Sequence, residues 1–228
     1  MAGEYFVSLG ENIQESRGWI LLYPPTSIDT NNDDIDEINR KLIAVLSLND
    51  ASDTLFETDV NEDMFVTVEY IHFEGSRRYL ANIYANEINF YNCNFINSGY
   101  DAVEVYGQDI TFDSCKFNGS GGSSIRLSDD LDFGLVVNGN AVVNSVISNF
   151  ASTCRHYSEG VAIGGFGTIV SNNHFKSSNM AAIDIVGGGS KIMSNIFSHI
   201  SDGSYDDGGT YIYNHTFIHS YMSYDRID

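Results

Sequence analysis

A period of 22 residues constrains this chain more than any other feature. The segments Ile88-Asn-Phe-Tyr-Asn-Cys-Asn-Phe95 and Ile110-Thr-Phe-Asp-Ser-Cys-Lys-Phe117 share one pattern. A shortened form recurs as Ile169-Val-Ser-Asn-Asn-His-Phe175 and Ile192-Met-Ser-Asn-Ile-Phe197. Phe90 to Phe112, Cys93 to Cys115 and Phe175 to Phe197 are each separated by 22 residues. A fixed period of this size marks a solenoid, in which each unit buries its apolar face only against its neighbours. Between these segments run Ala102-Val-Glu-Val-Tyr106, Ser124-Ile-Arg-Leu-Ser128, Gly160-Val-Ala-Ile-Gly164 and Ala182-Ile-Asp-Ile-Val186. They alternate apolar and other residues with period two, as half-buried strands do. Short strands with Asn, Ser and Gly at the corners predict an all-β fold, a right-handed single-stranded parallel β-helix with coils of about 22 residues. A leucine-rich horseshoe is excluded because the repeats lack a Leu framework, and a helical repeat because no segment here holds a 3.6 period.

The chain of 228 residues, 43% of them hydrophobic, is compatible with one domain and a continuous core. Eleven Lys and Arg against 31 Asp and Glu give a formal charge of −20. That balance argues against nucleic acid, whose affinity depends on neutralising phosphates, and against anionic membrane surfaces. It also disfavours strongly anionic polysaccharides unless a local basic groove or a bridging cation is present. No apolar run is long enough to span a membrane, and Met1-Ala-Gly-Glu4 lacks the regions of a signal peptide. Three cysteines are too few for a disulfide scaffold. Cys93 and Cys115 fall at equivalent places on successive coils, so a stacked ladder of free thiols is expected, with a bridge geometrically permitted. Asn118-Gly-Ser and Asn214-His-Thr have the form of glycosylation sequons.

Residues 1–65 read as lead-in strands and a capping segment, and residues 66–228 as the coils. Trp19-Ile-Leu-Leu-Tyr-Pro-Pro25 is an apolar strand ended by a double proline, Thr30 to Glu37 a charged loop or helix start, and Leu42 to Leu48 a further strand. Residues 129–140 and Thr153 to Glu159 lengthen two coils and should emerge as loops. No C-terminal cap is evident, so self-association or further coils are expected at that end.

Several of these stretches resemble the right-handed β-helix proteins of the pectate-lyase-like superfamily. Trp19–Pro25 is similar to that group's LYFYPP lead-in, and Val66-Thr-Val-Glu-Tyr-Ile-His-Phe-Glu-Gly-Ser76 to its VTFEGLTFEGS opening coil. Asn144-Ser-Val-Ile-Ser-Asn-Phe150 followed by Gly160-Val-Ala-Ile-Gly-Gly-Phe-Gly167 resembles NCxIHDF…PGVxLGGVG. Ala182-Ile183 falls at PHxAI, and Asp206-Asp-Gly-Gly-Thr-Tyr211 at DAGAIY. The histidine and proline of PHxAI are replaced by Met180 and Asn179. The resemblance implies action on glycosidic bonds and an extracellular or periplasmic setting. Glycoside hydrolases, polysaccharide lyases, epimerases and binding proteins share the fold, so it does not fix the reaction.

With Val103, Val105, Ile125, Leu127, Val161, Ile163, Ile183 and Ile185 pointing inward, the opposite face carries Glu104, Arg126, Ala162, Asp184 and Tyr211. Glu104 beside Arg126 reads as a surface ion pair. Asp184 interrupts an apolar strand, and Asp206 and Asp207 stand at the corner leading to the next. Two carboxylates flanking a groove are what glycoside hydrolysis requires, and Asp184 with Asp206 or Asp207 is the expected catalytic pair. His156, in an insertion loop, is a further acid–base candidate. Arg126, Glu104, Arg155, Tyr157 and Tyr211 are expected to bind a polysaccharide or oligosaccharide substrate, the tyrosines as stacking platforms. The alternatives are a polysaccharide lyase, with Ca²⁺ held between carboxylates and Arg126 against a uronate, and a non-catalytic glycan-binding β-helix. No residue set has zinc-ligand spacing, so no cofactor is expected for hydrolysis.

Overall fold

In the computed structural model, residues 53–128, 136–154, 157–178 and 180–200 are described, apart from the side chains of residues 59–65. To these are added the backbone strands Tyr5–Leu9, Gly18–Leu22, Thr210–Tyr213, Tyr221–Ser223 and Arg226–Ile227. The chain forms two compact units, Met1–Asn49 and Asp50–Asp228. In the first, the predicted lead-in strand is found as Gly18–Leu22, antiparallel to Tyr5–Leu9. The segments Thr30 to Glu37 and Leu42 to Leu48 lie outside the described residues.

The second unit is a solenoid of parallel strands, about six turns with coils about 22 residues apart and no helix among the described residues. Each coil contributes to three parallel ladders. The first stacks Val103–Tyr106, Ile125–Ser128, Val161–Phe166, Ile183–Gly188 and Thr210–Tyr213. The second stacks Thr111–Asp113, Ala141–Val143, Ile169–Ser171, Lys191–Met193 and Tyr221–Ser223. The third runs from His72–Ser76 through Asn94–Ser98, Lys116–Ser120, Val146–Ser148, His174–Ser178 and Ile196–Ile200 to Arg226–Ile227. Tyr79–Tyr91 is long enough to serve the first two ladders, and Thr54–Glu69 pairs along it, so parallel pairing begins at Thr54. Both long coils return to register: Ala141 lies opposite Thr111, and Val161 opposite Ile125.

Each corner is turned by one residue in the left-handed region, repeated coil after coil. Tyr70, Asn92, Ser114, Asn144, Asn172 and Ser194 turn the second ladder into the third, with φ from 50° to 58°. Gly75, Asn97, Gly119, Asn149, Ser177 and His199 turn the third into the next coil, and Glu87, Asp109, Gly139, Gly167 and Gly189 close the circuit. Glycine meets no Cβ penalty at such φ, and Asn, Asp and Ser reduce it by local hydrogen bonding, which is why these residues fill the corners. The next residue then points inward. Cys93 Sγ donates to the Val68 carbonyl, and Asn173 and Asn195 donate to Val142 and Val170 at 2.8 and 3.0 Å. One buried column thus holds Cys93, Cys115, Ser145, Asn173 and Asn195, each satisfying backbone that the bend leaves unpaired. Both Cys93 and Cys115 are free thiols.

The eight residues expected to point inward from the first ladder are all at most 2% exposed. Phe73, Phe95 and Phe117 stack face to face from coil to coil at 5.0 and 4.8 Å, Phe90 and Phe112 at 5.0 Å, and Phe175 and Phe197 at 5.3 Å. The two columns meet edge to face, as with Phe95 and Phe112 at 6.0 Å. The rung spacing of a parallel sheet matches the offset-stacking distance of aromatic rings, so the repeat builds the core by itself.

Candidate functional site

Along the outer face of the first ladder, Asn82, Glu104, Arg126, Ala162, Asp184 and Tyr211 stand in consecutive register. This is the predicted column, and the period-two alternation of the strands is its cause. Just before the strand on each coil comes a second column. Backbone bonds from Ala102 N to Ser123 O and from Ser124 N to Glu159 O align Asp101, Ser123 and Glu159 on successive coils. These three side chains are buried although they are polar, Asp101 and Ser123 completely and Glu159 to 7% exposure.

Arg126 joins the two columns. Its Nε donates to Asp101 Oδ2 at 2.9 Å, and its Nη2 to Ser123 Oγ and to the Tyr157 carbonyl, each at 3.1 Å. The other oxygen of Asp101 accepts from Ser123 N at 2.6 Å, and Ser123 Oγ accepts from Glu159 N at 3.1 Å. Burial alone would lower the Arg126 pKa, but the charge and hydrogen bond of Asp101 raise it above its ordinary value. The guanidinium is therefore permanently charged and held in one orientation.

Glu159 and Asp184 lie on successive coils beside this cation. Burial, followed by the negative charge of Asp184, pushes the Glu159 carboxyl up from 4.5 to about 7, with Arg126 pulling the other way. Burial also raises Asp184, against the Ile185 backbone and Arg126. Burial and the like charge of Asp184 both favour the neutral form of Glu159, so its carboxyl holds a proton toward neutrality. Asp184 Oδ1 is buried with no hydrogen-bond partner among the described residues.

Glu104 departs from the expected ion pair. It faces Arg126 in register, yet the salt bridge of Arg126 is to Asp101. Glu104 Oε1 instead accepts from the Tyr106 hydroxyl at 2.8 Å. Burial and then Glu104 push the Tyr79 phenol up to about 12, and raise that of Tyr106 as well. The reason is reach: Asp101 presents a fixed, fully buried carboxylate to the guanidinium edge, while Glu104 is held along its own strand by Tyr106. Tyr157 presents an 84% exposed ring beside the Arg126 contact made by its carbonyl. Tyr211 continues the column in its backbone pairing with Asp184. Arg155, His156, Asp206 and Asp207 lie outside the described residues. Met180, at the place of the resemblance's histidine, is packed into the core. Among the described residues, no group of three or more His, Cys, Asp or Glu side chains is disposed to hold a metal ion.

The sequence reading missed Asp101 and Glu159. A signal for them exists, since aligning Asp101-Ala102, Ser123-Ser124, Glu159-Gly160 and Ala181-Ala182 at the strand starts reveals the column. Glu159 was hidden because the insertion before it breaks the period.

The fold and this face define a parallel β-solenoid whose outer sheet bears two carboxyls, the buried Glu159 and the half-buried Asp184, beside a clamped arginine. No family model and no curated protein matches the chain. Among solved structures, one named "Glycoside hydrolase" is similar with a TM-score of 0.48 and 14% identity, over 67% of this chain. The chain spans 30% of that structure's length.

Proposed function

We propose that this protein hydrolyses glycosidic bonds in a polysaccharide or oligosaccharide, with Glu159 as proton donor and Asp184 as the ionised partner. The observation that supports this reading is the placing of two carboxyls, Glu159 and Asp184, on neighbouring coils beside the clamped Arg126, with Glu159 buried. Glycoside hydrolysis needs one carboxylic acid that keeps its proton near neutrality and one carboxylate that does not. Burial and a neighbouring like charge provide that difference here. Arg126, oriented by Asp101 and Ser123, favours the charged form of Asp184 against its burial and offers a charged edge to substrate hydroxyls. In this reading Glu159 takes the place that the sequence assigned to Asp206 or Asp207, which lie outside the described residues, and Asp184 keeps its place in the pair.

The test is release of reducing ends from a polysaccharide panel, read alongside absorbance of unsaturated uronates, with and without Ca²⁺. Glu159→Gln and Asp184→Asn should each lower turnover by about 10²–10⁴-fold, the range of general acid–base catalysis, with the fold intact. Unsaturated product appearing only with Ca²⁺ would replace hydrolysis by a lyase reaction. Full activity in both variants would remove the pair from the chemistry.

A further inference from the structure

One corner of the solenoid carries an aromatic ring where the following coils carry small polar residues. Tyr70 opens the column that continues through Asn92, Ser114, Asn144, Asn172 and Ser194, all in the left-handed region. The later members suit that backbone, because Asn and Ser offset its steric cost by local hydrogen bonding. Tyr70, with φ at 56° and a bulky side chain, is the strained member of the set. Burial does not offset the strain, since Tyr70 is 70% exposed. A ring that strains the backbone without being buried adds little to stability, and its place is a candidate for binding.

A neighbouring ring holds it. Tyr70 N donates to the Tyr91 carbonyl at 3.1 Å, and the two rings meet edge to face, 6.1 Å between centroids and 85° between planes. Tyr91 and Ile71 are themselves 39% and 44% exposed and extend the apolar surface. Carboxylates border it. Glu69 and Asp113 lie in register with Tyr91, one rung to either side, about 4.8 Å away. Asp113 Oδ1 is oriented by hydrogen bonds from Ser114 Oγ at 2.8 Å and Asn144 Nδ2 at 2.9 Å. Just past Ile71, the exposed His72 Nε2 stands 3.0 Å from Glu74 Oε2.

This mixture separates the occupants. An apolar protein surface laid on the rings would desolvate Glu69 and Asp113 without giving them partners. Nucleic acid is opposed by the same carboxylates and by the net charge of −20. A pyranose satisfies both parts of the patch: its C–H face packs on an aromatic ring, and the hydroxyls around its edge donate to carboxylates.

We infer that Tyr70 and Tyr91 form a sugar-binding platform on the corner between the second and third ladders, apart from the Glu159–Asp184 face, and that its ligand is a pyranose unit of a polysaccharide. Such a platform binds sugar whether or not the protein cleaves it, so it stands independently of the glycosidase reading. Where both sites engage one polymer, the platform raises the local concentration of substrate at the carboxyls.

The experiment is affinity electrophoresis of the full chain through gels containing xylan, mixed-linkage β-glucan, glucomannan or polygalacturonate. At least one of these polymers should retard the wild type. Tyr70→Asn, which matches the corner residue of the next coil, should weaken that retardation about tenfold, the scale of one lost ring contact, with the melting temperature unchanged or raised. Tyr91→Ala should weaken it likewise. Unchanged retardation of both variants, or a wild type that none of the polymers retards, would overturn the platform and leave the carboxylate pair to its own assay. A lowered melting temperature in Tyr70→Asn would show that the ring serves packing and would also overturn it. A change from dimer to monomer in Tyr70→Asn by sedimentation velocity, with retardation intact, would replace the sugar by a second copy of the chain.

Discussion

Replacing Glu159 by Gln should make the protein more stable above neutral pH while removing its activity. The Glu159 carboxyl is raised from 4.5 to about 7 by burial and by Asp184. An acid whose folded pKa is raised binds its proton more tightly in the folded than in the unfolded chain. Below 4.5 both states hold the proton and the raised value has no effect. Between 4.5 and 7 the unfolded chain has lost the proton and the folded chain keeps it, so folding stability falls as pH rises. Above 7 the loss is complete and constant. At 1.36 kcal/mol per pH unit, the shift corresponds to about 3 kcal/mol, and screening of the Asp184 charge reduces this to about 2 kcal/mol. Gln has nearly the same shape and no charge, so Glu159→Gln escapes that cost. Urea unfolding followed by circular dichroism at pH 4 and pH 8 reads the effect. The variant and wild type should match at pH 4 and differ by about 2 kcal/mol at pH 8, equivalent to roughly 4–8 °C in melting temperature. The other carboxylates are common to both proteins, so the difference isolates Glu159. A difference that stays constant with pH, or a variant less stable at pH 8, would refute the argument that Glu159 is held protonated by its surroundings.

Asp101→Ala removes the buried partner of Arg126 and the acceptor for Ser123 N, and should cost about 3 kcal/mol in urea unfolding, the scale of breaking a buried pair. Of the three thiols, only Cys154 is partly exposed; a thiol reagent should titrate one group in the native protein and three in denaturant. Cys93 and Cys115 are buried and donate to backbone carbonyls, so exposure sets the order of reaction. Ser194 holds φ at 58°, so Ser194→Val should lose about 1–2 kcal/mol from steric conflict at the corner, measured by the same unfolding assay.

The sequence by itself determined the solenoid, the inward Val, Ile and Leu of the first ladder, and the outer column through Glu104, Arg126 and Asp184. These follow from two local periods, one of two residues and one of 22, and a stacked parallel sheet turns such periods directly into position. The Asn-, Ser- and Gly-rich corners and the thiol ladder were legible for the same reason, since each recurs once per coil, while the left-handed backbone at those corners is a finding of the structure. What the tertiary structure alone decided lies where the period is broken or where a choice depends on side-chain reach. The insertion before Glu159 separates it from the repeat, and only the backbone register, Ser124 on Glu159 and Gly160 on Ala181, sets it between the coils of Arg126 and Asp184. Arg126 could meet Glu104 or Asp101 on coil position alone. The fully buried, hydrogen-bonded carboxylate of Asp101 wins it, because desolvation makes that pairing stronger than one on the open face. The carboxyl pKa values likewise depend on burial and on charges brought together from different coils, quantities that no spacing along the chain contains.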